Sequence, residues 1–316
     1  MNVHSFANKP ATWSSTNMKT VLITGATSGI GRHAALELVR RGHYVIATGR
    51  RQNALDSLRE EARAIATTSG GKLDTVKLDV TREADVRLAR ASVLGLTGGR
   101  GVDVLVNNAG YGQMGPLETV TDAELRKQFE TNVFGLMSVT RAFLPEMRER
   151  GQGRIINIGS IGGRVTFPLM GAYNSTKYAV ESLSDALRIE LAPFGIAVSI
   201  VEPGPIRTEF NDRAIETLDP SKLAGSIWAP VMEQAERIRQ DVEAQAVGPE
   251  VTTQAIVHAA LSRRPRVRYV VPFKSSVLLA VLAVLPTRLV DAAMRLAAGL
   301  THERLLAGRT AAASSA

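Results

Sequence analysis

The chain has no cysteine among its 316 residues. Disulfides, thiolate metal sites and cysteine nucleophiles are therefore excluded. Histidine is nearly as scarce. The five present, His4, His33, His43, His258 and His302, never fall at the short spacing of a metal motif. Surface or structural roles suit them, and no metal site is expected. Long hydrophobic runs are missing as well. The nearest, residues 275–285 (SSVLLAVLAVL), is shorter than the roughly 18 apolar residues of a membrane span and is closed by Pro286 and Arg288. Residues 1–18 are polar and lack the apolar stretch of a secretory signal, so a disordered tail and a cytoplasmic protein are expected. Acid is in deficit: the formal charge is +8. From Ala246 onward nine basic residues face three acids, which puts most of the excess in the last quarter of the chain. Such a patch suits nucleic acid or an anionic membrane surface. It lacks interleaved aromatics or a nucleic-acid motif, so a solvated basic surface is the plainer reading and no nucleic-acid partner is expected.

What remains is ordinary for a globular protein, with 45% apolar and 22% charged residues. Short β-branched runs alternate with helical patterns. Strands are predicted at 19–24, 44–48, 73–78, 102–107, 154–158, 197–201 and 267–271. Helices are predicted at 29–41, 53–66, 83–96, 122–150, 172–193 and 249–263, with an apolar helical region at 275–300. Alternating βα units imply an α/β fold, a doubly wound parallel sheet of about seven strands covered on both faces. Thr121-Asp-Ala-Glu has capping-box spacing and fixes one helix start. Residues 208–248 break the alternation and read as a lid-like insertion. No linker divides the chain, so residues 19–316 form one domain, its C-terminal region 275–316 apolar and basic.

Two clusters carry chemistry. TGATSGIG, from Thr24 to Gly31, sets glycines between a predicted strand and helix. Such a turn lets the backbone approach a pyrophosphate and offers it helix N–H groups, although a plain tight turn would look similar. The next strand ends Thr48-Gly49-Arg50-Arg51, with no acid to take ribose hydroxyls. An arginine fork there suits a 2′-phosphate and points to NADP(H); a solvated arginine pair is the competing reading. Farther on, Tyr173 and Lys177 stand at i, i+4 in YNSTK, one helical turn apart on one face. A nearby ammonium favours the phenolate, so the pair is expected to have a lowered phenol pKa.

With these residues in view the chain resembles the short-chain dehydrogenase/reductase family. TGATSGIG, Asn107-Asn108-Ala109-Gly110, Asn132 in TNVFG, Ser160 in NIGSIGG, YNSTK and Pro203-Gly204 match family motifs in order. The resemblance implies an oxidoreductase with Tyr173 as general acid or base. Lys177 would tune the phenol and hold the nicotinamide ribose, Ser160 would orient the substrate oxygen, and Asn132 would support a proton relay. It implies cofactor contacts at Gly25, Thr27, Ser28, Gly29, Ile30, Gly31, Arg50, Arg51, Asp79, Val80, Asn107, Ala109, Gly110, Pro203, Gly204, Ile206 and Thr208. A catalytically silent NADP-binding regulator is the alternative, against which the intact four residues argue.

Within the family, NAGYGQMGPLE, SIGGRVTFPLMGAY and EPGPIRTEF are most similar to the 17β-hydroxysteroid and retinol dehydrogenase-like branch. This implies a hydrophobic carbonyl or alcohol substrate. The expected pocket walls are Tyr111, Met114, Val165, Phe167, Met170, Phe210 and Trp228. The resemblance also implies a homodimer or homotetramer. The apolar helix at 275–285 covers a core or a subunit interface, or else makes weak contact with a membrane surface.

Overall fold

The structure, a computed structural model, describes Trp13 and residues 18–223, 226–303 and 305. Seven parallel strands form one sheet in the order β3-β2-β1-β4-β5-β6-β7. They are β1 (Thr20–Ile23), β2 (Tyr44–Gly49), β3 (Lys72–Lys77), β4 (Val104–Asn107), β5 (Gly153–Ile158), β6 (Ile196–Pro203) and β7 (Arg268–Val271). Helices α1 (Gly29–Arg40), α2 (Gln52–Ser69) and α3 (Glu83–Leu96) connect the first four strands. Strand order reverses between β1 and β4, and the crevice outside such a switch point is where open α/β sheets bind ligands.

The strands are apolar on both sides, because successive side chains enter two different cores. Val21, Ile23, Val45, Ala47, Val104 and Val106 pack with α1 and α2. Leu22, Tyr44, Ile46, Leu105 and Ile155 pack on the opposite face, with Val86 and Val93 of α3. A parallel sheet buried on both faces needs this continuous pattern.

The helical region 122–150 is not one helix. It comprises α4 (Asp122–Phe129), a π-helical turn (Glu130–Gly135) and α5 (Leu136–Glu149). A Cβ on Gly135 would lie 2.8 Å from Val80 Cγ2 and 3.0 Å from the Val80 carbonyl, so the turn passes tightly against the end of β3. Asn132 lies in this turn. The capping box at Thr121 is present, with the Glu124 side chain returning to the Thr121 N–H at 2.8 Å.

After α6 (Gly171–Leu191), the insertion contains α7 (Phe210–Ile215), α8 (Pro220–Leu223) and α9 (Val231–Gln245). Its two ends are tied together. Ile206 bridges Val247, and the Arg207 N–H donates to the Val247 carbonyl at 2.8 Å. Then follows α10 (Glu250–Leu261), which packs beside α1.

The apolar C-terminal region is also divided, into α11 (Phe273–Val284) and α12 (Thr287–Ala297). Pro286 lies between them, and proline lacks the N–H that would continue the first helix. Among the described residues no helix is long and apolar enough to cross a membrane.

One residue of the N-terminal segment departs from the tail expected there. Trp13 packs against the first core, with Lys19 Nζ 4.3 Å and the Arg154 guanidinium 3.9 Å from its ring centre. The rest of residues 1–17 lies outside the described residues.

Candidate active site

The glycine turn joins β1 to α1. Gly25 has φ +63°, a conformation that favours glycine. A Cβ there would sit 2.9 Å from Ala109 Cα, and one on Gly31 would overlap the Asn108 amide and lie 2.5 Å from the Gly25 carbonyl oxygen. The turn is locked from β4. Asn108 Nδ2 donates to the carbonyls of Thr24 and Gly25, both at 3.0 Å. Thr24 Oγ1 accepts from the N–H groups of Asn108 (2.9 Å) and Ala109 (3.0 Å). Asn108 and Thr24 were not singled out in the sequence, although both lie inside the quoted motifs. Their role depends on a contact 84 residues apart in the chain.

The turn fits an anionic ligand. Ser28 is the N-cap of α1 but makes no side-chain cap bond, and the first turn carries no acid. The N-terminal N–H groups and the helix dipole therefore remain available to a phosphate. Thr27 lies beside the end of β2, where a Cβ on Gly49 would come 2.6 Å from its methyl. Arg50 and Arg51 follow, both exposed, with Arg51 capping α2. Arg50 is close enough to Tyr111 across the cleft for its charge to favour the Tyr111 phenolate, although burial outweighs this and raises the phenol pKa. Among the described residues the buried Tyr111 hydroxyl has no partner.

At the ends of the next strands, Asp79 Oδ1 accepts from the Thr81 N–H at 3.0 Å. Val80 is buried in the second core. Asn107 ties β4 to β5, donating to Asn157 and Thr140, each at 2.9 Å. Its Oδ1 is buried without a partner.

The insertion meets the turn from the other side. A Cβ on Gly29 would reach Thr208 at 3.4 Å, and Arg213 of α7 donates to Ser28 Oγ at 3.4 Å. Arg213 is a third residue missed in the sequence, and no local pattern there distinguishes it from other exposed helix cations. Ile30 packs on the first core, and Ile206 is buried at the base of the insertion. Pro203 ends β6. Gly204 lies against α11, where a Cβ would strike Ser275.

The four chemical residues converge from the π-turn, the end of β5 and the first turns of α6. Asn132 Oδ1 accepts from the Tyr111 N–H at 3.1 Å. Its Nδ2 donates to the Tyr111 carbonyl and to Thr176 Oγ1, each at 3.0 Å. Gly110 leaves room for it, since a Cβ there would sit 3.0 Å from Asn132 Oδ1. The Ser160 hydroxyl accepts from the Gly162 N–H at 3.0 Å, donates to the Pro203 carbonyl at 3.5 Å, and lies near enough to the Tyr173 phenol to favour its ionised form. Lys177 is buried and donates to the Ile158 carbonyl at 2.7 Å.

The expected lowering of the Tyr173 phenol by Lys177 is not found. Burial pushes the phenol up to about 12, opposed by the nearby Ser160 hydroxyl. Lys177 Nζ is 5.6 Å from the ring centre and turned to the Ile158 carbonyl. Burial lowers the amine itself to about 8, opposed by the charge of Glu181. Both charged forms lose solvation in this enclosed place, and that cost outweighs their mutual attraction.

The expected pocket residues fall into three groups. Phe210 packs on Tyr173, ring centres 5.3 Å apart, and a Cβ on Gly112 would lie 3.0 Å from its ring. Met114, Met170 and Trp228 share an apolar cluster with Leu169 and Leu218. Val165 and Phe167 pack instead with Ile161 and with Leu279 of α11. Val165 also lines a cavity of about 520 Å³ between residues 164–168 and helices α11 and α12.

A family profile described as short chain dehydrogenase matches residues 19–219. The chain belongs to this family. It is 36% identical over 273 residues to an uncharacterized oxidoreductase, YbbO, of Escherichia coli strain K12, covering 86% of this chain and 93% of that one. It is 36% identical to human 17-beta-hydroxysteroid dehydrogenase type 1 over 79% of this chain and 76% of the relative. An NADPH-dependent 3-dehydrocapnine reductase of Ornithobacterium rhinotracheale is 31% identical over 87% of this chain and 95% of its own length. Among solved structures, a family member from Burkholderia phymatum in complex with NAD superposes with a TM-score of 0.72 at 26% identity, covering 84% and 93% of the two chains. The protein is thus an oxidoreductase on a Rossmann-type fold, similar to the hydroxysteroid dehydrogenase branch.

Proposed function

We propose that the protein is an NADP(H)-dependent carbonyl reductase or alcohol dehydrogenase acting on a hydrophobic substrate. The observation that carries this reading is the convergence of a buried Tyr173 phenol with Ser160, Asn132 and Lys177, and with the Phe210 ring tilted against it. The nicotinamide, when bound, supplies or accepts the hydride. Tyr173 gives its proton to the substrate oxygen in reduction or removes one in oxidation. Ser160 donates to the same oxygen and orients it. Asn132 fixes the Tyr111 backbone and the start of α6 through Thr176, and so holds the two walls of the cleft together. A phenol held at about 12 keeps its proton at neutral pH, which suits the donor role in carbonyl reduction.

Three features support NADP(H): Arg50 and Arg51 at the end of β2, no acid there, and the NADPH dependence in the name of the 3-dehydrocapnine reductase. The two apolar clusters around the 161–170 segment support a hydrophobic substrate of the steroid, retinoid or long-chain ketone kind. We read the protein as cytoplasmic and as a homodimer or homotetramer. α11 leaves Phe273 and Val284 each 81% exposed, with Val277 and Val281 beside them, and a subunit interface would cover that face. A membrane surface is the second reading for it, favoured by the exposed Arg288 and Arg295 on α12.

The deciding experiment follows nicotinamide absorbance with a panel of steroid, retinoid and alkyl ketones and alcohols, using NADPH, NADH and their oxidised forms. Turnover of apolar ketones with NADPH is the expected result. No turnover across the panel, with NADPH still bound, would favour the silent regulator.

A further inference from the structure

Behind Lys177 lies a cluster of ionisable groups that the proposed chemistry leaves unused. Glu181 stands one turn after Lys177 on α6, and Asp185 one turn later. Glu202 faces them from β6 with its side chain wholly buried. Arg268 of β7 binds all three carboxylates: Glu181, Glu202 Oε1 at 2.6 Å and Asp185 Oδ2 at 2.8 Å. Arg164 reaches Glu202 Oε2 at 3.7 Å, and Arg188 pairs with Asp185 at 2.9 Å.

The cluster borders the anchor of the Lys177 amine. Lys177 holds the Ile158 carbonyl at 2.7 Å. The next residue is Gly159, and a Cβ there would lie 3.1 Å from Glu181 Oε1. A Cβ on Gly163 would lie 2.8 Å from the Lys177 carbonyl and 3.0 Å from Glu181 Cγ. Glu181 therefore abuts the peptide just past the one that holds the amine, and two glycines leave the room for it. Among the described residues neither Glu181 Oε1 nor Glu202 Oε2 has a hydrogen-bond donor, so two buried carboxyls share one guanidinium nitrogen. Apolar side chains would fill this space with less desolvation, and a buried ionic cluster is weak evidence of a stabilising role.

We propose that Glu181 is a positioning residue for Lys177: its carboxylate, aimed by Arg268, is the internal counter-charge that keeps the buried amine protonated. The inference rests on Lys177 being the ribose-binding cation of the proposed reaction. Burial drives the amine down to about 8 and Glu181 is the charge that opposes this. Glu181 in turn is raised to about 7, by burial and by Glu202.

The test reads the amine directly. With ¹³C-labelled lysine, the Lys177 Cε resonance is assigned by its loss in Lys177→Arg and titrated in the full chain. Glu181→Gln should lower its midpoint by about one pH unit, because removing an opposite charge disfavours the ammonium. Glu181→Asp should restore most of the shift. Glu181→Met serves as a second neutral variant if the glutamine protein does not fold. The alkaline limb of kcat should move down with the midpoint. Unchanged midpoints in the neutral variants would overturn the proposal, as would a lower melting temperature and rate with no change of midpoint. A midpoint that moves while the rate profile stays supports the charge pairing and counts instead against the catalytic role given to Lys177.

Discussion

The glycine turn and the apolar roof over Tyr173 are held in place by different means. The turn is fixed by backbone geometry and by buried hydrogen bonds from Asn108 and Thr24, with little space for any other side chain. The roof is made of α7, α8 and α9, joined to the body by apolar contacts of Phe210, Leu218 and Leu223 and by the bridge at Ile206 and Val247. Its polar ties are partly exposed, such as Arg239 of α9 with Asp212 of α7 at 3.6 Å and Lys222 with Glu124 at 2.7 Å. Hydrogen-bonded backbone holds one geometry closely, whereas apolar packing accepts changes of shape at modest cost. On the proposed function, the difference would suit one fixed cofactor and an adaptable substrate wall.

Tyr173 lies where the two regions meet, and its removal should have the largest effect. Tyr173→Phe should lower kcat by about 100-fold or more while the NADPH dissociation constant stays near wild type. Stopped-flow single turnovers check it, and a retained rate would remove the phenol from the mechanism.

Asn108→Ala should separate the regions from the cofactor side. It leaves the Thr24 and Gly25 carbonyls without their donor, at a cost of about 1–3 kcal/mol, and so should weaken NADPH binding about tenfold. Fluorescence titration reads the affinity, and substrate KM at saturating NADPH should hardly move. Phe210→Ala is the converse. It removes the ring against Tyr173 and should raise KM for apolar ketones severalfold, with NADPH affinity unchanged. If both variants altered both constants alike, the two regions would not be independent.

The smallest effect is expected at Thr121, the one N-cap among the described residues with a full capping box, on the helix that lies under the roof. Thr121→Ala should lower stability by about 1 kcal/mol, read by urea unfolding, with kinetic constants unaffected. Glu124 adds a pH signature. Its carboxyl is held down to about 2, first by Lys222, so this contribution is present above the unfolded carboxylate pKa and is lost as pH falls from about 4 toward 2. The partial exposure of the pair keeps that contribution small.

The legible parts of the site share a physical property. Gly25 and Gly29 are required by the left-handed backbone of a local turn, and Tyr173 and Lys177 by a helical repeat, so each leaves a short-range pattern. The π-turn that carries Asn132 left none, because it depends on a close approach to Val80, 55 positions away in the numbering of the contact between Gly135 and Val80. Arg213 and Glu181 look like ordinary helix charges until the insertion and β6 are folded against them.

The sequence by itself determined the parallel sheet, the order of its elements, the glycine turn and the i, i+4 spacing of phenol and amine. These follow from hydrophobic period and backbone conformation, which are properties of neighbouring residues. Only the tertiary structure decided the charge states at the centre. Burial of Tyr173 and Lys177 pushes both toward their neutral forms, and Glu181, Glu202 and Arg268 assemble behind the amine from three separate elements. Desolvation and buried charge depend on what encloses a group from all sides, and enclosure is not a property of any single segment of chain.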